Sequence, residues 1–437
     1  MKQSRMQPLV TILGGTLFWI GACQTEPAGQ PDPVSIEKST PTAHRNHAKH
    51  ALLIVIDTLR ADAQTAAQTP VIDTLAAQGT SVPKAWAAGT WTAPSVFSLF
   101  TGAPIRQHGW DLATGQIGHY PTLPDMPTIA TVLTENGFDC DALFTNPYLA
   151  EKIGFNRGFK TWKRTVDRSL PKRFAKDVQQ SWSDGKRHFA YLHFIGPHSP
   201  VKPSDESRAR WKVDDGWFDD KGGINIGAAK RNREAGVRKA YSDAYHAVIE
   251  DTDARLGAVI DALGSHRSET LIVVTSDHGE LLGEHDKMGH GHWLWEGLTH
   301  VPLVVADPAL APGELELPAV LSNAAVPHIM TESLGVSHTW PTTLQSSTSL
   351  VAQREGQIAI LEQGKYKGIW HKDTTLEVFD LSTDPHEETP LANTHKLSAA
   401  KANWESTTPM GPAPQEPVAL DQQTIDELKQ LGYLDQE

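Results

Sequence analysis

The run Ala51-Leu-Leu-Ile-Val-Ile56 is apolar without a break and stops at Asp57. A strand apolar on both faces has to be covered on both, which is the situation inside a parallel sheet packed between helices. The pattern recurs in Phe138–Phe144, in His188–Ile195 and in Thr270–Ser276, with helical patterning between the runs. Tyr241, Ala244, Tyr245, Val248, Ile249, Thr252, Leu256, Val259, Ile260 and Leu263 fall on one helical face that stops at Gly264. Strands alternating with helices predict an α/β fold, a mostly parallel central sheet sandwiched by helices. Ligands bind such sheets off the carboxyl ends of the strands. Asp57, the carboxylate that closes the first run, is therefore a candidate site residue. His193 lies within its run and reads as a core residue.

A second stretch, Thr90-Trp-Thr-Ala-Pro-Ser-Val-Phe-Ser-Leu-Phe-Thr-Gly102, predicts a buried helix, with Pro94 in its first turn and Gly102 at its end. Thr92 then sits at a helix N-terminus, where unpaired N–H groups and the macrodipole favour an anion. Its hydroxyl is placed either to cap the helix or to attack a phosphate or sulfate held there.

The chain has 437 residues, 39% of them hydrophobic and 21% charged, a globular composition. A formal charge of -13 excludes a general nucleic-acid binder, whose affinity would need a basic face. Lys2 and Arg5 precede a short apolar segment that ends Ile20-Gly21-Ala22-Cys23. This describes a signal peptide over residues 1–23, and small residues directly before a Cys resemble a lipobox, which implies a lipid anchor on Cys23. The expected location is the bacterial cell envelope, on the periplasmic side of the outer membrane or at the cell surface. Residues 24–49 are polar and Pro-rich and read as a disordered tether. Cys140, the other cysteine, reads as a strand residue.

Thr92-x-Pro94-Ser95-x-x-Ser98-Leu99-x-Thr101-Gly102 resembles the nucleophile segment of the sulfatase family, within the alkaline phosphatase superfamily. Asp57-Thr58-Leu59-Arg60 resembles its first metal-binding element, with Thr58 in place of a second Asp. Thr275-Ser276-Asp277-His278-Gly279-Glu280 resembles its second. Pro197-His198-Ser199-Pro200 resembles its Pro-His-x-Pro motif, and Asp384-Pro385-His386-Glu387 lies in a stretch like its closing motif.

The resemblance implies one divalent cation on Asp57, Thr92, Asp277 and His278, with Mn, Mg or Ca as the metal and Zn possible. It implies catalytic roles for Thr92, His198 and one or both of His290 and His292, and substrate contact at Asn146. Two positions depart from the family. Threonine at 92 cannot become formylglycine, and Val96 stands where the family has Arg. Relatives that use Thr directly cleave phosphate esters, so hydrolysis of phosphoesters or phosphodiesters is the favoured expectation. A sulfatase by substrate, a phosphoethanolamine or glycerophosphate transferase and a non-catalytic binding lipoprotein are the alternatives. The substrate would be a phosphorylated or sulfated lipid, glycan or small ester. Residues 50–310 are expected to form the catalytic domain and 311–437 a smaller C-terminal α+β subdomain. Residues 203 to about 234, with Trp211, Trp217 and Phe218, are expected to form an insertion beside the site.

Overall fold

A computed structural model describes residues 46–111, 118–231, 235–344, 349–392, 397–412 and 416–431. The signal segment, Cys23, most of the tether and Gly432–Leu434 lie outside the described residues. The tether gives way to the fold just before residue 50: Ala48 N–H donates to the Ser333 carbonyl and Lys49 N–H to the Glu269 carbonyl.

The central sheet has seven strands. Its order is Thr80–Ser81, Leu303–Ala306, Thr270–Thr275, His50–Ile56, Arg187–Phe194, Phe138–Phe144 and Thr161–Arg164. The last five are parallel to their neighbours, while Leu303–Ala306 runs antiparallel to both Thr270–Thr275 and Thr80–Ser81. His50–Ile56 is central and buried along its whole length. Its side chains divide by alternation. Ala51, Leu53 and Val55 join one core with Val96, Phe97, Leu99 and Phe100 of the helix Thr92–Thr101. Leu52, Ile54 and Ile56 join a second core with Tyr241, Tyr245, Val248 and Ile249 of the helix Ala235–Ala262. Two apolar faces, each covered by helices, account for the unbroken hydrophobic run.

Local chemistry sets the helix ends. Thr128 accepts from Thr131 N–H and closes a capping box on the helix Ile129–Glu135. The helix Thr92–Thr101 stops at Gly102, which takes φ 64, a left-handed conformation that favours glycine. The helix Pro70–Gln78 receives its cap from elsewhere: Asp253 accepts from Val71 N–H and Ile72 N–H, each at 3.0 Å.

Beyond residue 311, Val320–Ser322 pairs with Lys84–Trp86, and Ser349–Arg354, Gln357–Glu362, Tyr366–Trp370 and Leu376–Asp380 form an antiparallel sheet. Among the described residues no helix is long and apolar enough to cross a membrane.

Candidate active site

The carboxyl ends of the central strands deliver their polar residues to one place. Asp57 follows His50–Ile56, Asn146 follows Phe138–Phe144, and Asp277 and His278 follow Thr270–Thr275; all four are fully buried. Thr92 enters from above the sheet as the first residue of its helix, after an extended Trp91 (φ -155, ψ 160). It is thus a helical residue rather than the cap itself. All ten residues of this helix are buried.

Asn146 ties the group together. Its Nδ2 donates to Asp57 Oδ2 at 2.6 Å and to Thr92 Oγ1 at 3.1 Å, and Tyr148 N–H donates to its Oδ1 at 2.8 Å, which fixes the amide orientation. Thr92 Oγ1 lies 3.4 Å from Asp57 Oδ2 and 3.5 Å from His278 Nε2. His278 Nδ1 lies 2.9 Å from the Gly279 carbonyl and must donate to it, so Nε2 carries the lone pair.

That lone pair faces Asp57 Oδ1 and Asp277 Oδ2, each at 3.6 Å. Neither carboxylate oxygen has a hydrogen-bond partner among the described residues. Three buried acceptors converging without a donor are mutually repulsive, and a divalent cation relieves that repulsion. Burial and the neighbouring Asp57 charge push the Asp277 carboxyl well above the ordinary carboxylate range. Burial acts the same way on Asp57, yet the His193 hydrogen bond and the electrostatic influence of the nearby His198 and His278 rings hold it below that range. The donor set of two carboxylates, one imidazole and a hydroxyl fits a divalent cation.

His193 is not a plain core residue. Its Nε2 lies 3.3 Å from Asp57 Oδ2 and its Nδ1 lies 2.7 Å from the Tyr191 hydroxyl. Asp57, His193 and Asp277 present donor atoms all within 4.8 Å of one another. Tyr191 and His193 are paired with Leu53 and Val55 of the adjacent strand, which brings His193 beside the end of the run that Asp57 follows.

His198 and His290 come together, with ring centroids 5.0 Å apart and His290 4.5 Å from His278. His198 Nδ1 lies 2.7 Å from the Ser199 carbonyl, and burial lowers its pKa to about 4, so the ring is neutral at pH 7. Glu280 Oε1 lies 3.0 Å from His290 Nδ1 and fixes that ring. His292, expected to share the catalytic role, has its ring beside Trp293 and its carbonyl accepting from Gln357, and it lies close enough to His290 to act on it electrostatically. Gly289 and Gly291 take φ 93 and 83 on either side of His290.

Val96 is buried in the core and supplies no charge to the site. A cation comes instead from the insertion, which folds as the helices Asp205–Trp211 and Ile226–Arg231. Lys230 lies over Gly289, its Nζ 3.0 Å from where a Cβ there would stand, and its charge reaches Glu280 and His290. The sequence reading missed it because nothing local marks one lysine in a charged insertion.

The family model for Sulfatase matches residues 49–331. A "Sulfatase" of Formosa agariphila is 31% identical over 179 residues, 38% of this chain and 35% of the relative. A "Choline-sulfatase" of Rhizobium meliloti is 31% identical over 183 residues, 36% of this chain and 34% of the relative. The matched segments thus span about a third of these curated relatives. The crystal structure of a phosphonate monoester hydrolase of Agrobacterium radiobacter superposes with a TM-score of 0.63 at 18% identity, covering 82% of this chain and 94% of that one. A second, solved with its substrate D-glucosamine-2-N,6-O-disulfate, gives 0.63 at 14% identity, covering 89% and 99%. At such identities the likeness is one of fold: the central parallel sheet with its small antiparallel C-terminal sheet. Fold, motif spacing and family match agree, and the chain belongs to the sulfatase family.

Proposed function

We propose that this chain is a metal-dependent hydrolase of phosphate or sulfate esters that uses Thr92 as its nucleophile, with phosphodiesters favoured. The observation that carries the reading is the Thr92 hydroxyl at the start of a buried helix, within 3.5 Å of both Asp57 and His278. Asp57, Asp277 and His278, with Thr92, would hold the cation, which when bound supplies Lewis acidity toward the hydroxyl and the ester oxygens. Thr92 Oγ gives its proton to Asp57 Oδ2, 3.4 Å away, and attacks phosphorus in line; the bond to the leaving alcohol breaks, and a phosphothreonine forms that water then hydrolyses. Asn146 holds the hydroxyl and Asp57 in register, and the helix N-terminus faces the developing negative charge. The substrate anion draws a proton onto His198 or His290, and that proton passes to the leaving oxygen. No aldehyde hydrate takes part, since residue 92 is threonine.

Sulfate-ester hydrolysis is the second reading, favoured by the names of the curated relatives. The metal-loaded chain is assayed on aryl phosphodiester, phosphomonoester and sulfate substrates. The diester is expected to be turned over fastest, and preference for sulfate reverses the substrate class. Folded, metal-loaded Thr92→Ala is expected to be inactive; retained turnover would refute the nucleophile assignment. Residues 1–23 support a lipid anchor on Cys23 and an envelope location, tested by palmitate labelling that Cys23→Ala abolishes.

A further inference from the structure

The sequence places Thr58 where a second metal-binding Asp would stand, and the chain there cannot supply a substitute. Thr58 adopts φ 59, its N–H donates to Asp277 Oδ1 at 3.3 Å, and its carbonyl accepts from Tyr245. The hydroxyl has no hydrogen-bond partner among the described residues. The neighbouring strand offers a different donor. His193 is fully buried, with Nε2 directed at Asp57 and a donor atom within 4.8 Å of donor atoms of both Asp57 and Asp277.

The other ring nitrogen has a partner suited to a ligating histidine. Tyr191 Oη, 2.7 Å from His193 Nδ1, can either donate or accept. Without a cation Nε2 donates to Asp57 Oδ2; with Nδ1 protonated instead and donating to Tyr191, the Nε2 lone pair is free for a cation at the two carboxylates, the usual arrangement behind a metal-bound imidazole. Tyr191 itself is fixed: it is fully buried, its ring parallel within 4° to Trp162 and edge-on to Phe100 at 4.8 Å. Such rigid support suits a first ligand better than a loosely held donor.

We infer that His193 is itself a ligand of the divalent cation, an imidazole from the adjacent strand replacing the carboxylate that Thr58 lacks. The inference rests on the reading that a cation binds between Asp57 and Asp277. A second imidazole beside His278 moves the donor set away from all-oxygen coordination. It therefore selects Mn²⁺ or Zn²⁺ over Ca²⁺.

The test uses the full-length chain in detergent, stripped with chelator and reloaded with Mn²⁺, whose electron spin reports bonded nitrogens through pulsed hyperfine spectroscopy. The wild type is expected to show two histidine nitrogens, and His193→Gln one, with Mn²⁺ binding weakened at least about tenfold. His278→Gln should remove the other nitrogen. Tyr191→Phe, which keeps the imidazole and is the better-tolerated change, should retain both nitrogens while weakening binding. One nitrogen in the wild type, unchanged in His193→Gln, overturns the inference and leaves the cation reading intact. Failure of the wild type to bind Mn²⁺ stoichiometrically overturns both.

Discussion

Asn146 touches two of the groups that matter, and its amide is held by Tyr148 N–H. Removing one such donor from a preorganised site typically costs about 10²-fold in kcat. Asn146→Ala is expected to lose turnover on that scale with little change in thermal midpoint, checked by steady-state kinetics beside calorimetry. His108 governs a different property. It is fully buried, accepts from Trp110 N–H at Nδ1 and lies 3.0 Å from Ser98 Oγ, and burial lowers its pKa to about 3 against an ordinary 6.5. The folded chain thus binds this proton less readily than the unfolded one. Its contribution to stability is complete above pH 6.5 and lost as pH falls toward 3, by up to about 1.4 kcal/mol per unit. His108→Gln should be less stable at pH 7.5 but shallower by about one proton in its acid slope. Equal slopes in denaturation midpoints between pH 6.5 and 4 would remove His108 from this role.

Elements outside the central sheet shape the site from its rim. Arg354, on the first strand of the C-terminal sheet, donates to the Gly291 and Asp111 carbonyls and stacks over Trp91 at 5.0 Å. It pins the loop that carries His290 against the residue preceding Thr92. Arg354→Ala should cost about 2–3 kcal/mol, the range for charge-assisted bonds to buried groups, and should speed hydrogen exchange across 288–293. Unchanged exchange there would disconnect the sheet from the loop. Lys230 belongs to the insertion and is exposed, so Lys230→Ala should raise KM more than it lowers kcat and leave the thermal midpoint in place. These dependencies explain what the sequence concealed. Asp57, Thr92, Asp277 and His278 were legible because each closes or opens an element whose pattern marks it. His193 was not, because a histidine inside an apolar run looks the same whether its ring meets a neighbouring strand's core or its carboxylate.

Over the whole molecule the sheet is a scaffold held by two cores, with its chemistry confined to one edge. The α/β layering followed from four apolar runs, since only a doubly covered sheet buries them; the strand order depended on distant pairings that no local pattern records. Converging Asp57 and Asp277 stores repulsion in the most buried part of that edge. Chelation should therefore lower the thermal midpoint, and Mn²⁺ at a hundred times its Kd should restore about 2.7 kcal/mol. A midpoint indifferent to chelator and metal would mean that the carboxylates are relieved by a shared proton alone.

The helix behind Thr92 has no exposed residue, so nothing approaches phosphorus from that side. On the proposed mechanism the leaving alcohol departs opposite Thr92, and the second attack must come through the space it has vacated. Two inversions then give net retention at a chiral phosphorus, and an alcohol that lingers there competes directly with water. Hydrolysis and transfer would then be one reaction divided by traffic, and the length of an alcohol's stay would decide which product forms.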